Sequence, residues 1–110
     1  HLELTQIIKQ YQPQVCAIER LFFARNKTTA LKVAEARGVI LLTAMQNHLN
    51  ISEHTPNQVK LAVSGSGNAD KQAMTKMVKL QLKLPKEIIK DDVIDALAVL
   101  LTASLKNNLL

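Results

Sequence analysis

"VCAIE", residues 15–19, is a short run rich in apolar and β-branched side chains and closed by a charge. That length and composition describe a strand covered on both faces, as in a parallel sheet. Before it, "ELTQIIKQY" (3–11) spaces Leu4, Ile7, Ile8 and Tyr11 along one face of a helix, which Pro13 stops. After it, Thr28 or Thr29 can cap a long helix reaching about His48. Leu31, Ala34, Gly38, Leu42, Met45 and Leu49 form one apolar stripe of that helix, and Val33, Ile40 and Ala44 form a second. A helix apolar on two sides is expected to pack against two things, the sheet and another helix or subunit. Gly38 inside it costs about 1 kcal/mol against alanine, so close backbone packing is its expected reason. "ISEH" (51–54) is a second, weaker strand. Strand, crossover helix and strand imply parallel pairing and an α/β layer fold. Two strands make no stable sheet alone, so others are expected from elsewhere in a longer chain or from a partner.

The second half is helical. "TPNQ" (55–58) offers Thr55 as N-cap, Pro56 at the first helical position and Gln58 to complete a capping box. That helix runs through Val59, Leu61, Ala62 and Val63 into "SGSGN" (64–68), which breaks it. Asn68 or Asp70 opens a lysine-rich amphipathic helix to about Leu84, and Pro85 ends it. The last helix begins near Asp91 or Asp92 and continues to about Lys106. The order is α–β–α–β–α–α–α.

A chain of 110 residues is expected to form one domain. Its net charge of +5 is carried by residues 56–90, where seven lysines face only Asp70 and Glu87. Such a segment is either a polyanion-binding face or a solvated lysine-rich helix. One cysteine, Cys16, excludes an internal disulfide and a Cys-rich zinc site, and points to a reducing, cytoplasmic setting. No apolar run approaches the roughly 20 residues of a membrane span. "HLELTQIIKQ" has no signal-peptide layout and no initiator methionine, so the chain is expected to lie within a longer reading frame. His48 and His54 are not at metal-ligand spacing, and "SGSGNADK" (64–71) lacks the Gly-Lys-Ser/Thr of a triphosphate-binding loop.

Three groups of residues can carry chemistry. "DDVIDALAVLL" (91–101) sets Asp92 and Asp95 three residues apart on one helix face, and Glu19 stands at the carboxyl end of a strand. Converging, the three would form an all-oxygen site for Mg²⁺ or Mn²⁺. Apart, Asp92 is a cap, Asp95 a partner of the helix dipole and Glu19 the start of a loop. Asp95 beside an apolar run is costly unless partnered, which raises the metal reading without removing the capping one that spacing alone favours. Asp91 is left as a solvated or capping charge. The aromatic pair Phe22 and Phe23 lies among Arg20, Arg25 and Lys27, where Phe22 can stack on unpaired bases while one ring folds into the core. Lys76, Lys79 and Lys83 share a helix face, with Lys71 in the turn after the glycine-rich break, an arrangement suited to a phosphate backbone.

Several stretches taken in order resemble one family. "AIERLFFARN" (17–26), "ALKVAEARGV" (30–39), "NQVK" (57–60), "GSGNADK" (65–71), "MVKLQLKLP" (77–85) and "DDVIDALA" (91–98) are similar to the RuvC-type Holliday junction resolvases across nearly the whole chain. The resemblance implies a ribonuclease-H-like three-layer α/β fold, with residues 1–110 forming the C-terminal portion of a single nuclease domain. It also implies a homodimer acting on four-way DNA junctions in recombination and repair. Such an enzyme would be a Mg²⁺-dependent endodeoxyribonuclease with two ions per active site, Mn²⁺ substituting, and branch-migration motors as partners. By position, Glu19 is similar to the family's strand-borne catalytic glutamate, and Asp92 and Asp95 to its helix-borne aspartate pair. Phe22 is similar to its base-contacting aromatic, and Lys60 and Lys71 to two lysines important for cleavage. Arg25, Lys27, Lys76 and Lys79 are the remaining expected DNA contacts. The family's dimer contact involves the long helix, here about 28–48. Its first catalytic aspartate, in a Gly-Ile-Asp-Pro-Gly-like motif on an N-terminal strand, has no counterpart in these residues. Three of four carboxylates are therefore expected, and little or no activity from this stretch alone. A non-catalytic DNA-binding module and a purely structural dimerisation fragment are the rival classes.

Overall fold

The structure is a computed structural model that describes residues 1–20, 27–85, 87 and 89–107, with the side chains of 27, 28 and 107 excepted. Its elements run α1 (Leu2–Tyr11), β1 (Val15–Glu19), α2 (Lys27–Gln46), β2 (Asn50–His54), α3 (Pro56–Ser64), α4 (Lys71–Leu82) and α5 (Asp91–Asn107). The expected order is the observed one. They form two compact units, His1–Ser52 and Glu53–Leu110.

In the first unit, α1 ends where Gln12 turns left-handed and its N–H bonds back to the Ile8 carbonyl, one residue before Pro13. β1 and β2 pair as a small parallel sheet, the Asn50 N–H donating to the Gln14 carbonyl at 2.9 Å. The pairing is parallel because α2 carries the chain back between the strands. α1 packs on α2, with Ile8, Thr43 and Ala44 buried. Thr43 satisfies its own hydroxyl by donating to the Val39 carbonyl.

Two expectations about α2 change. It has begun by Lys27, so Thr28 and Thr29 are helical residues and not caps. Gly38 is exposed, and a Cβ added there would meet nothing within 4 Å, so no close packing among the described residues explains it. The stripe on which it sits faces outward: Leu31, Leu42 and Met45 are all more than half exposed, and Ala34 is exposed beside them.

The second unit is a cluster of α3, α4 and α5, each packed on the other two. The expected capping box opens α3: the Gln58 N–H donates to Thr55 Oγ1, and the Thr55 N–H donates to Gln58 Oε1. Gly65, at φ 80°, closes that helix in the left-handed region where glycine is least strained. Asp70 caps α4 by accepting from the Ala73 N–H at 2.8 Å. Gln81 Nε2 donates to the Val63 carbonyl at 2.7 Å, tying the end of α4 to the end of α3. Val59, Val63, Val78, Ile94, Ala98 and Leu101 are buried. On α5 the buried positions 94, 98 and 101 follow helical spacing, so the apolar run turns one face inward and leaves Val93 and Leu100 half exposed. Thr102 and Ser104 are buried on the same helix, their hydroxyls donating to the carbonyls of Ala98 and Leu100.

Truncating Ile94 to alanine removes a fully buried side chain and is expected to cost about 2–5 kcal/mol. Leu100→Ala on the exposed side of the same helix is expected to cost under about 1 kcal/mol. Urea unfolding of the two variants measures the difference. His54 is buried in this unit, and burial, reinforced by the positive charge of Lys106, lowers its pKa below the ordinary 6.5. The unfolded chain therefore takes up this proton at higher pH than the folded chain. Stability is expected to be level above pH 6.5 and to fall as pH drops from 6.5 toward the folded-state value. A pH series of urea midpoints checks this, with His54→Gln expected to flatten that part of the profile.

Candidate functional site

The N-terminal turn of α5 gathers Asp91, Asp92 and Asp95, all exposed. Negative charge is favoured there by the positive end of the helix dipole, even though the three carboxylates repel one another. Asp95 beside an apolar run is expected to be costly unless partnered, but solvent removes most of that cost. Its side chain is 60% exposed, while Ile94, Ala98 and Leu101 carry the buried face of the helix.

Lys71, the first residue of α4, meets this turn. Its Nζ lies 3.4 Å from Asp91 Oδ2 and 3.9 Å from Asp95 Oδ2. The geometry is a shared ammonium bridging two carboxylates one helical turn apart. A lysine at a helix N-terminus opposes the local dipole, so Asp70 at the cap and the α5 acids both offset its charge. Among the described residues Asp92, the other half of the expected pair, has no ion pair. Asp91, expected to be only a capping or solvated charge, is the one that shares Lys71 with Asp95. Its spacing to Asp95, four residues, was the available signal, since i and i+4 share a face as surely as i and i+3.

The same lysine begins a basic groove. A shallow depression of about 620 Å³ runs along α4, lined by Lys71, Gln72, Thr75, Lys76, Lys79 and Asp91. It is continued by a second one that adds Leu80, Lys83 and Leu84. Lys71, Lys76, Lys79 and Lys83 thus lie along one continuous surface, as their spacing implies. Lys60 lies on α3 of the same unit, half-buried, and among the described residues it forms no ion pair.

The remaining expected residues belong to the first unit. Glu19 is the last residue of β1, half-buried and engaged by other groups. Phe22 and Arg25 lie outside the described residues, as does the side chain of Lys27. Cys16 is half-buried in β1, and burial pushes its thiol up, which disfavours the thiolate and any nucleophilic role. Among the described residues no three or more His, Cys, Asp or Glu side chains form a group able to hold a metal ion. The α5 carboxylates suit a hard divalent cation in kind, since such cations take oxygen donors. In number they fall short of a full ligand set.

An exposed ion pair is worth little to stability, so Lys71→Ala is expected to shift unfolding free energy by less than about 1 kcal/mol. Chemical denaturation of that variant tests whether Lys71 is structural; a loss of several kcal/mol would make it so.

Comparisons with known proteins bear on residues 2–103, which match the family model described as "Crossover junction endodeoxyribonuclease RuvC". The protein of that name from Caldicellulosiruptor saccharolyticus is 54% identical over 99 residues, covering 90% of this chain and 60% of its own length. That from Brachyspira hyodysenteriae is 45% identical over 109 residues, covering 99% of this chain and 67% of its own. Among solved structures, Thermus thermophilus RuvC superposes with a TM-score of 0.88 at 30% identity, covering 99% of this chain and 66% of that one. The same protein in complex with a Holliday junction substrate gives 0.91 at 30% identity, with the same coverage. The fold is therefore the ribonuclease-H-like α/β fold of those structures. The chain spans about 60% of the length of the first two curated relatives it matches.

Proposed function

The chain belongs to the RuvC crossover junction endodeoxyribonuclease family, and from that membership we propose that it is the C-terminal portion of a single ribonuclease-H-like nuclease domain. In this reading the protein cuts four-way DNA junctions by metal-dependent phosphodiester hydrolysis, in recombination and repair in the cytoplasm. The observation that carries it is the joining of the α5 carboxylates to the lysine groove through Lys71. A polyanion held along α4 by Lys76 and Lys79 would bring a phosphate to the acidic turn of α5.

Glu19, Asp92 and Asp95 are assigned as carboxylates that hold Mg²⁺, two ions per site, with Mn²⁺ able to substitute. The family's pattern adds a further aspartate outside these residues. Ions held there would supply positive charge toward a bound phosphate and would lower the pKa of an attacking water. Lys71 and Lys60 contribute point charges: three donors on a flexible stem orient a non-bridging phosphate oxygen and offset charge that develops on it. In-line attack would leave a 5′-phosphate. Lys76 and Lys79 neutralise backbone phosphates and carry no sequence information. Phe22 is assigned to stacking on unpaired bases near the junction centre, with Arg25 and Lys27 on the flanking phosphates.

The exposed stripe of α2, Leu31, Ala34, Gly38, Leu42 and Met45, supports a homodimer through that helix. A second copy would also give Gly38 a close backbone approach, which it lacks among the described residues. Two sites related by a two-fold axis would nick two strands of like polarity symmetrically. A branch-migration motor is the further partner.

A second reading rests on one observation: no metal-holding group of three side chains is assembled among the described residues. The stretch in hand would then bind branched DNA without cutting it. Asp95→Asn in the full-length gene product separates the two readings. Cleavage of a synthetic four-way junction in Mg²⁺ is expected to fall by more than about 100-fold while junction binding persists. Undiminished cleavage would remove Asp95 from the metal site. Lys76→Ala is expected to weaken binding for all DNA sequences alike, and to reduce the salt slope by about 1.

A further inference from the structure

Asp91 has no part in the reading above, yet it makes the shorter of the two contacts to Lys71, 3.4 Å against 3.9 Å to Asp95. Both contacts are exposed, with Lys71 at 58%, so neither fixes the ammonium rigidly. The two carboxylates compete for one lysine, and only one of them is a proposed metal ligand. A divalent cation on Asp95 would repel the Lys71 ammonium, whose Nζ lies 3.9 Å from Asp95 Oδ2, because like charges brought that near one another disfavour each other. Without a second anchor the flexible lysine would leave for solvent at the moment a phosphate requires it. Asp91 is placed one turn nearer the helix N-terminus, and it lines the same groove as Lys71, Lys76 and Lys79.

We propose that Asp91 is a positioning residue for Lys71, holding its ammonium at the end of the basic groove when the α5 carboxylate site takes up metal. The inference rests on the nuclease reading and deepens it. Asp91 does not ligate metal or touch the reacting phosphate; it acts through Lys71 alone. Its partner is an ammonium with three donors, so an ion pair to Asp91 leaves donors free for a phosphate oxygen.

The test is a double-mutant cycle in the full-length gene product, using synthetic four-way junctions at saturating Mn²⁺. Asp91→Asn is expected to lower kcat by roughly tenfold with KM unchanged, since it misplaces a group needed for the chemical step and not for binding. Asp91→Glu is expected to recover most of that loss. In a Lys71→Gln background, Asp91→Asn is expected to have no further effect. A readout independent of activity is the rate at which acetic anhydride acetylates Lys71 in the Mn²⁺-loaded protein, followed by mass spectrometry. That rate is expected to rise severalfold in Asp91→Asn. An unchanged kcat in Asp91→Asn, or an equal loss in the Lys71→Gln background, would overturn the proposal. So would recovery of the variant on raising Mn²⁺ beyond the concentration that saturates the unaltered protein, which would make Asp91 a determinant of metal affinity. If Asp95→Asn also cuts normally, the metal assignment of Asp95 fails and this role with it; if the unaltered protein binds junctions and does not cut them, the nuclease reading itself fails and this role with it.

Discussion

The packing of α3, α4 and α5 around Val63, Val78 and Ile94 is the constraint on which the chemistry of the second unit depends. Each of those side chains is worth a few kcal/mol when buried, whereas an exposed ion pair is worth about 1 kcal/mol or less. The apolar contacts therefore decide where α4 and α5 lie, and the charges at their N-termini follow. Lys71 does not hold α5 in place. It is delivered to Asp91 and Asp95 by helices that would meet without it.

That division of labour frees the charged residues for function. A lysine that anchored the fold could not exchange partners, and one that is 58% exposed can. The three aspartates at the start of α5 carry more negative charge than one ammonium balances, which leaves that turn attractive to further cations. The lysines along α4 do the reverse for anions. Opposite electrostatic surfaces thus meet at one residue, Lys71.

Helix boundaries follow from local chemistry, and most were legible. Thr55, Pro56 and Gln58 define the start of α3 through side chains within four residues of one another, so no tertiary contact is needed to infer it. Val15–Glu19 and the strand after α2 were legible for a similar reason, since a short β-branched run flanked by breakers has few alternatives. Asp95 shows where such inference stops. Its sequence neighbours are apolar, which makes an unpartnered charge there costly on paper; only the facing of α5, with Ile94 and Ala98 inward, leaves the carboxylate in solvent. Gly38 shows the complementary limit, because among the described residues nothing comes within 4 Å of the place its Cβ would occupy.

The sequence by itself determined the element order, the caps, the basic character of residues 56–90 and the residues matched to a nuclease family. These depend on interactions within a helical turn or on composition, which the order of residues states directly. Tertiary structure alone decided which acid meets which base. Lys71 lies twenty residues before Asp91, a separation that periodicity does not span. It took the packing of α4 on α5 to show that Asp91, and not Asp92, shares that lysine with Asp95.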